Sequence, residues 1–289
     1  MLSRQNEKKL GKYWNFNPIP GVQSSVDSGR APMLEACSLT KLYSGIPAVK
    51  EVSFCIRPGE VLGYLGPNGS GKSTTVRMLT GLLEPTRGRV LYRGQDIQAD
   101  LVSYKKSIGY APEEPNLYAF LSGWEYLELV GTLRDIDRRI VKSKADSMLN
   151  DFAMFPHRHS PISSYSKGMR QRIMLIAALM HDPEVLILDE PFSGLDVTMA
   201  LILRHVIRRL ADAGKAIFFC SPVLEVVEKV CTHLVLLRAG AIAAYGPIDE
   251  IRAQSAAPEL EEAFLQLTQT VDAAAVANRI VSAIHAGCD

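Results

Sequence analysis

Residues 66–74 read Gly-Pro-Asn-Gly-Ser-Gly-Lys-Ser-Thr, a fit to G-x-x-x-x-G-K-[ST], and the flanking sequence supplies the context that this pattern needs. Before it, Glu60-Val-Leu-Gly-Tyr-Leu65 is apolar enough for a buried strand, and after it Val76, Leu79 and Leu83 recur at helical spacing. A strand that turns into a helix through a glycine-rich loop aims free backbone N–H groups and the positive helix end at an anion. Gly66, Gly69 and Gly71 suit tight turns and close backbone approach to phosphate oxygens. Lys72 is placed to reach β- and γ-phosphates, and the Ser73 hydroxyl to ligate Mg²⁺ with the bridging phosphate oxygens. The stretch predicts an α/β fold built around a nucleoside-triphosphate site.

Composition sets the frame for that site. With 289 residues, 47% hydrophobic and 22% charged, the chain can bury a full core as one large or two small domains. A net charge of +1 gives no basic field for nucleic acid and no polybasic membrane signal, so nucleic acid is not an expected partner. No apolar run approaches the roughly 18 residues of a membrane span; the longest candidates are Ile173 to Met180 and Val185 to Leu188. The first residues, MLSRQNEKKLGKYWNFNPIPG, are charged and lack the apolar core of a secretion signal. Cys37, Cys55, Cys220, Cys231 and Cys288 show no C-x-x-C spacing, and several sit in apolar strand-like runs, as reduced thiols in a cytosol would. His157 and His159 have no further ligands at metal spacing and read as a solvated loop.

In chain order, residues 1–30 read as a loosely ordered polar tail. Strands are expected at Met33 to Leu39, Val52 to Ile56 and Gly88 to Arg93, forming an antiparallel layer around the phosphate-loop strand. Tyr43 lies between the first two; its position fits either an aromatic platform for a purine ring or an ordinary half-buried tyrosine. Ile108 to Ala111 is a strand that stops at Pro112. Ser122-Gly-Trp-Glu125 has the capping-box form before a helix, and a second helical pattern runs from Asp137 to Phe155. The middle third therefore reads as a helical insertion, about 115–180, between two parts of the α/β core. Tyr165-Ser-Lys-Gly-Met169 opens an apolar helix, and Ser166 and Gly168 at its start make a second potential anion site.

Val185-Leu-Ile-Leu188 suits the middle of a parallel sheet and ends in Asp189-Glu190. Ligands of open α/β sheets gather beyond the carboxyl ends of strands, so Asp189 can hold Mg²⁺ through water and Glu190 can activate a water. Ser193-Gly-Leu-Asp196 opens a helix, with Ser193 or Asp196 as its cap. Ala216 to Cys220 is a further buried strand, Leu234 to Tyr245 a hairpin, and the extension 251–289 is helical, with Leu260, Phe264 and Leu267 on one face.

In this order and spacing, over residues 33–250, the chain resembles the ATP-binding subunit of ABC transporters. The phosphate loop, YSKGMRQR at Tyr165, LILDEP at Leu186 and SGLD at Ser193 look like that family's Walker A, signature, Walker B and D-loop. The resemblance implies a P-loop NTPase core with an antiparallel β layer and a helical insertion, using ATP and Mg²⁺. It implies nucleotide contacts from Tyr43 and from Gly66, Pro67, Asn68, Gly69, Ser70, Gly71, Lys72, Ser73 and Thr74, and catalysis by Glu190. It places Ser73, Glu113 and Asp189 around Mg²⁺, Glu113 standing where the family has glutamine. The signature residues Tyr165, Ser166, Lys167, Gly168 and Met169 would serve a second subunit's nucleotide, with Asp196 in the D-loop, giving a head-to-tail dimer. Partners would be that second cassette and an integral-membrane permease, at the inner face of the cell membrane. The signature's form is similar to the exporter branch. Pro222 occupies the switch-histidine position, which puts hydrolysis in question, so a weakly catalytic nucleotide-responsive subunit is the alternative, and a soluble non-transport ABC ATPase a third reading.

Overall fold

The computed structural model describes residues 31–254 and 273–285; the 1–30 tail, the Leu260, Phe264 and Leu267 stripe and Cys288 lie outside them. Three five-residue strands, β3 (Val61–Leu65), β7 (Val185–Asp189) and β8 (Ala216–Cys220), are buried along their whole length. They are near-continuous apolar runs because both faces of the sheet they form are covered. With β6 (Ile108–Ala111), β9 (His233–Arg238) and β10 (Ala241–Pro247) they make a six-stranded sheet in the order β10-β9-β3-β8-β7-β6, parallel except for β10, which pairs antiparallel with β9. Tyr64 pairs with Cys220 and Cys220 with Asp189. That register brings the carboxyl ends of β3, β8 and β7 level, so the phosphate loop, Cys220-Ser-Pro222 and Asp189-Glu190 leave the sheet side by side.

The second sheet is antiparallel, in the order β2-β1-β4-β5, from β1 (Leu34–Tyr43), β2 (Ile46–Ile56), β4 (Arg87–Tyr92) and β5 (Gln95–Asp96). The first two strands are longer than the sequence pattern predicts and run on to a two-residue turn, Ser44 and Gly45, at φ 50° and 83°. Register shifts at Leu39 and Lys41 break the alternation that would have extended the reading. Between the sheets lies an apolar layer in which Phe54, Tyr64 and Phe218 meet at ring separations of 4.9–5.9 Å.

α1 (Lys72–Leu79) follows the phosphate loop, and α2 (Leu101–Ser107), which the sequence reading did not anticipate, is capped by Asp100; Val76 and Leu79 of α1 and Tyr104 of α2 join the apolar layer between the sheets. The other face of the parallel sheet packs on a second group of helices. Between the adjacent strands β6 and β7 stand α3 (Gly123–Leu133), α4 (Arg138–Asp151), two short 3₁₀ turns and α5 (Lys167–Leu179). The capping box forms as expected, Ser122 Oγ accepting from Glu125 N at 3.2 Å and Glu125 Oε2 from Ser122 N at 2.8 Å. α4 stops short of the predicted Phe155 because Ala153 turns to φ 53° and a 3₁₀ turn follows. Leu127, Leu149, Ile173 and Leu175 on these helices share one core with Leu188, Phe219 and Leu203 of α6 (Val197–Asp212). α7 (Leu224–Val230), α8 (Ile248–Gln254) and α9 (Ala273–His285) complete the described elements.

Candidate nucleotide site

The phosphate loop is held from beneath and open above. A Cβ on Gly66 would stand 2.5 Å from Ser70 Oγ, and one on Gly71 2.5 Å from the Ala48 carbonyl oxygen. Gly71 also takes φ 102°, a backbone state that costs any side chain, and caps α1 with no side-chain acceptor. Above Gly69, at φ 78°, nothing lies within 4 Å of a built Cβ. The first turn of α1 carries no acidic residue, so its positive end is not neutralised from within. Lys72 Nζ donates to Gly66 O at 2.8 Å and Pro67 O at 3.2 Å, which holds the ammonium over the loop. Ser73 and Asn68 are exposed, and Thr74 is half-buried. The buried Tyr64 hydroxyl donates to Thr75 Oγ1 at 3.0 Å and the Thr75 hydroxyl to Gly71 O at 3.1 Å, tying loop and helix to the core.

At the end of β7, Asp189 is buried, and burial is the main cause that pushes its carboxyl above the ordinary range. The Cys220 thiol bonds it and Lys72 and Arg77 oppose the shift, while Glu113 reinforces it. Glu190 is likewise raised, by burial first and then by the charges of Glu113 and Asp189, against Lys72 and Lys167. Its backbone lies at φ 48° and its N–H donates to Cys220 O at 2.9 Å. A non-glycine residue in that region is held there by its surroundings, and such residues cluster at functional sites. Lys72, Glu113 and the adjacent pair Asp189 and Glu190 thus come from three separate places in the sequence into one electrostatic group.

The residues of 165–169 gather elsewhere. Ser166 caps α5, its Oγ accepting from Met169 N at 3.2 Å. Gly168 abuts the Gly194 carbonyl, and the Lys167 stem lies across Gly194. Tyr165 is buried with its hydroxyl donated to His157 O at 2.7 Å, so it anchors this loop from inside. Asp196, not Ser193, caps α6, accepting from Met199 N at 2.9 Å while pairing with Arg172. Gln171 is fully buried and donates to Pro191 O at 3.3 Å. Gln171, Arg172 and Cys220 are positioning residues that the sequence reading missed. Their signal was present only as a polar residue on an apolar helix face and a thiol level with a strand-end acid.

Pro222 is exposed, and the next N–H, of Val223, is taken by Ser221 Oγ at 3.2 Å. Tyr43 closes β1 beside the Ser44-Gly45 turn, 46% exposed, with Lys41 Nζ 5.9 Å from its ring centroid. The ring is free to be stacked upon. β2 carries Ala48 from that turn to Gly71, so the hairpin borders the phosphate loop.

These features fit a Mg²⁺–nucleoside triphosphate: a glycine cradle with open space above it, a lysine held over the mouth, an exposed Ser73 and a buried acid. Among the described residues no group of three His, Cys, Asp or Glu side chains is placed to hold a metal by itself. Ser73 and Asp189 would hold Mg²⁺ together with phosphate oxygens, and the ion would supply charge neutralisation there. Fold and site define a phosphate-loop nucleotide-binding cassette.

The family model described as "ABC transporter" matches residues 49–193. The chain is 36% identical over 248 residues to the "Uncharacterized ABC transporter ATP-binding protein YhcH" of Bacillus subtilis, spanning 86% of this chain and 79% of that protein. A solved chain described as "Structure of ATP binding subunit of ABC transporter" superposes with a TM-score of 0.78 at 30% identity, covering 81% of this chain and 99% of that one. Another, cbiO1 from Clostridium perfringens, described as part of the ABC transporter complex cbiONQ, superposes with a TM-score of 0.66 at 25% identity over 77% of this chain and 91% of its own length. The chain belongs to the ABC transporter ATP-binding family. Cassettes of this family are ATPases. No helix among the described residues is long and apolar enough to cross a membrane.

Proposed function

We propose that this chain is the energy-coupling cassette of an exporter, binding ATP·Mg²⁺ in a head-to-tail pair with a second cassette and driving an integral-membrane permease from the cytoplasmic face. The observation that carries it is the meeting of Lys72, Glu113, Asp189 and Glu190 at level strand ends beside an open glycine loop. Glu190 is the general base for the attacking water; burial and its two acidic neighbours raise its basicity. Lys72 and Ser73 hold the terminal phosphates and Mg²⁺, Tyr43 stacks on the adenine, and Ser166 and Gly168 complete the site across the dimer. The 115–180 insertion, with Tyr118 and Phe120 exposed within it, is the face toward the permease. A permease partner is supported by the likeness to cbiO1, itself part of a complex, and the export direction by the YSKGMRQR form of the signature.

Hydrolysis at this chain's own Walker A site is slow on this reading. Pro222 offers neither side-chain donor nor N–H, and Val223 N–H is already bonded. The observation also favours the second reading, a nucleotide-responsive subunit whose partner cassette turns over faster. Purification from solubilised membranes should recover a multi-span protein with the chain, and Glu190→Gln should abolish turnover at its site while leaving ATP bound. Recovery of ribosomes or DNA in place of a membrane protein, or turnover indifferent to Glu190→Gln, would defeat the proposal.

A further inference from the structure

Glu190 is kept in its left-handed backbone state by bonds on either side of it. Its φ of 48° is one that residues with a side chain rarely adopt. Its N–H donates to Cys220 O at 2.9 Å, and its carbonyl accepts from Ser193 N at 3.0 Å. One residue on, the buried Pro191 turns its carbonyl to α5, where Gln171 Nε2 donates to it at 3.3 Å. Phe192 follows, its ring 5.7 Å from that of Phe219 on β8. The turn after Glu190 is therefore anchored to the sheet through Cys220 and Phe219, and to α5 through Gln171.

We propose that Gln171 is a positioning residue for Glu190: by holding the Pro191 carbonyl it fixes the left-handed turn that aims the Glu190 carboxylate at the attacking water. This rests on the reading of Glu190 as the base. Gln171 has no exposed surface, and its Oε1 meets no partner among the described residues, so the amide ties to its surroundings through Pro191 O. What seats α5 is apolar, since Ile173, Leu175 and Ile176 are buried in the core shared with Leu188 and Phe219. The amide bond acts on the turn instead. The proline ring locks φ of Pro191, and the peptide planes on either side are rigid. Pinning the Pro191 carbonyl thus leaves one soft torsion, ψ of Pro191, between the anchored group and the peptide that joins Glu190 to Pro191. Loss of the bond loosens the aim of the base and leaves the phosphate loop unaltered, so it acts on rate and not on affinity.

The test uses the assembled transporter with the partner cassette's catalytic glutamate replaced by glutamine (Glu190→Gln where the partner is a second copy). Turnover is then confined to the site that contains this chain's Glu190, and ATP stays trapped at the other. Gln171→Met, which keeps the length and shape of the side chain and loses the donor, should lower kcat roughly tenfold. KM for ATP and the ATP trapped at the other site should stay unchanged, and the unfolding midpoint should fall by no more than about 4 °C. Pro191→Ala keeps the bonded carbonyl but frees the torsion before it, and should give a smaller fall in kcat, again at constant KM; it carries the test should Gln171→Met fail to fold. An unchanged kcat in both variants would overturn the proposal. So would a lower kcat matched by loss of the trapped ATP, because Gln171 would then act through the helix start on the partner's nucleotide. Glu190→Gln in this chain is the separate control. Hydrolysis surviving it would remove the base assignment itself, whatever Gln171→Met does.

Discussion

Gly168 and Gly194 meet backbone to backbone, so that a methyl on Gly168 would be driven into the Gly194 carbonyl oxygen. Neither segment can yield easily, since Gln171 and Arg172 fasten α5 to both ends of the same loop. Gly168→Ala should therefore destabilise the protein by about 1–3 kcal/mol, as overpacking does. Binding of ATP to the isolated chain should persist, because the phosphate loop is untouched. Thermal unfolding and nucleotide titration on the same sample check both halves.

The two glycines at positive φ in the phosphate loop should respond differently. Gly71→Ala faces both its φ of 102° and the Ala48 carbonyl 2.5 Å away. Gly69→Ala faces φ 78° with open space around it. The first should shift the loop and weaken ATP binding severely; the second should cost about 1 kcal/mol of stability for the left-handed backbone. Parallel denaturant titrations and ATP titrations separate them.

His181 gives the chain an acid-sensitive core. Its Nε2 donates to Ile108 O at 2.9 Å, and burial, aided by Arg134 and Lys144, lowers its pKa from 6.5 to about 4. The unfolded chain takes up a proton at His181 below about 6.5 that the folded chain refuses down to about 4, so stability falls as pH is lowered through that window. His181→Gln, which keeps a donor for Ile108 O, should flatten the decline between pH 6.5 and 4 relative to the native chain. Urea unfolding at a series of pH values measures the difference.

The fold was legible where one physical requirement dominates. The phosphate loop announces itself because only glycine fits Gly66 and Gly71, and β7 and β8 because strands buried on both faces must be apolar throughout. The capping box at Ser122 was readable for the same local reason. Tyr43 was placed between strands when it ends one, because the register shifts at Leu39 and Lys41 hide the alternation. α2 escaped because Leu101-Val-Ser-Tyr-Lys-Lys-Ser107 buries only Tyr104. Within the site, Lys72, Asp189 and Glu190 were read from motifs. The left-handed backbone of Glu190, the Cys220 bond to Asp189 and the seating of Lys167 on Gly194 depend on contacts between distant segments, which no local pattern encodes.

Pro222 makes a kinetic prediction. Installing a donor by Pro222→His should raise turnover at this chain's site, by up to the roughly 10²- to 10³-fold that one preorganised transition-state donor supplies, with little change in ATP affinity. ATPase assays of the assembled complex, with Glu190→Gln as the blank, read it. A fast native rate that Pro222→His leaves alone would show that another group does the histidine's work.

Lys72, whose ammonium is held over the loop, carries the most direct test, because on the proposed reading that charge is what makes the glycine-rich turn a triphosphate site. Isothermal titration of Mg·ATP into the native chain and into Lys72→Ala measures it. Charged hydrogen bonds to phosphate of about 1.5–3 kcal/mol predict affinity roughly 10- to 100-fold weaker in the variant, with the same unfolding midpoint in the absence of nucleotide. Equal affinity in the two proteins would contradict the assignment of this loop as the ATP site.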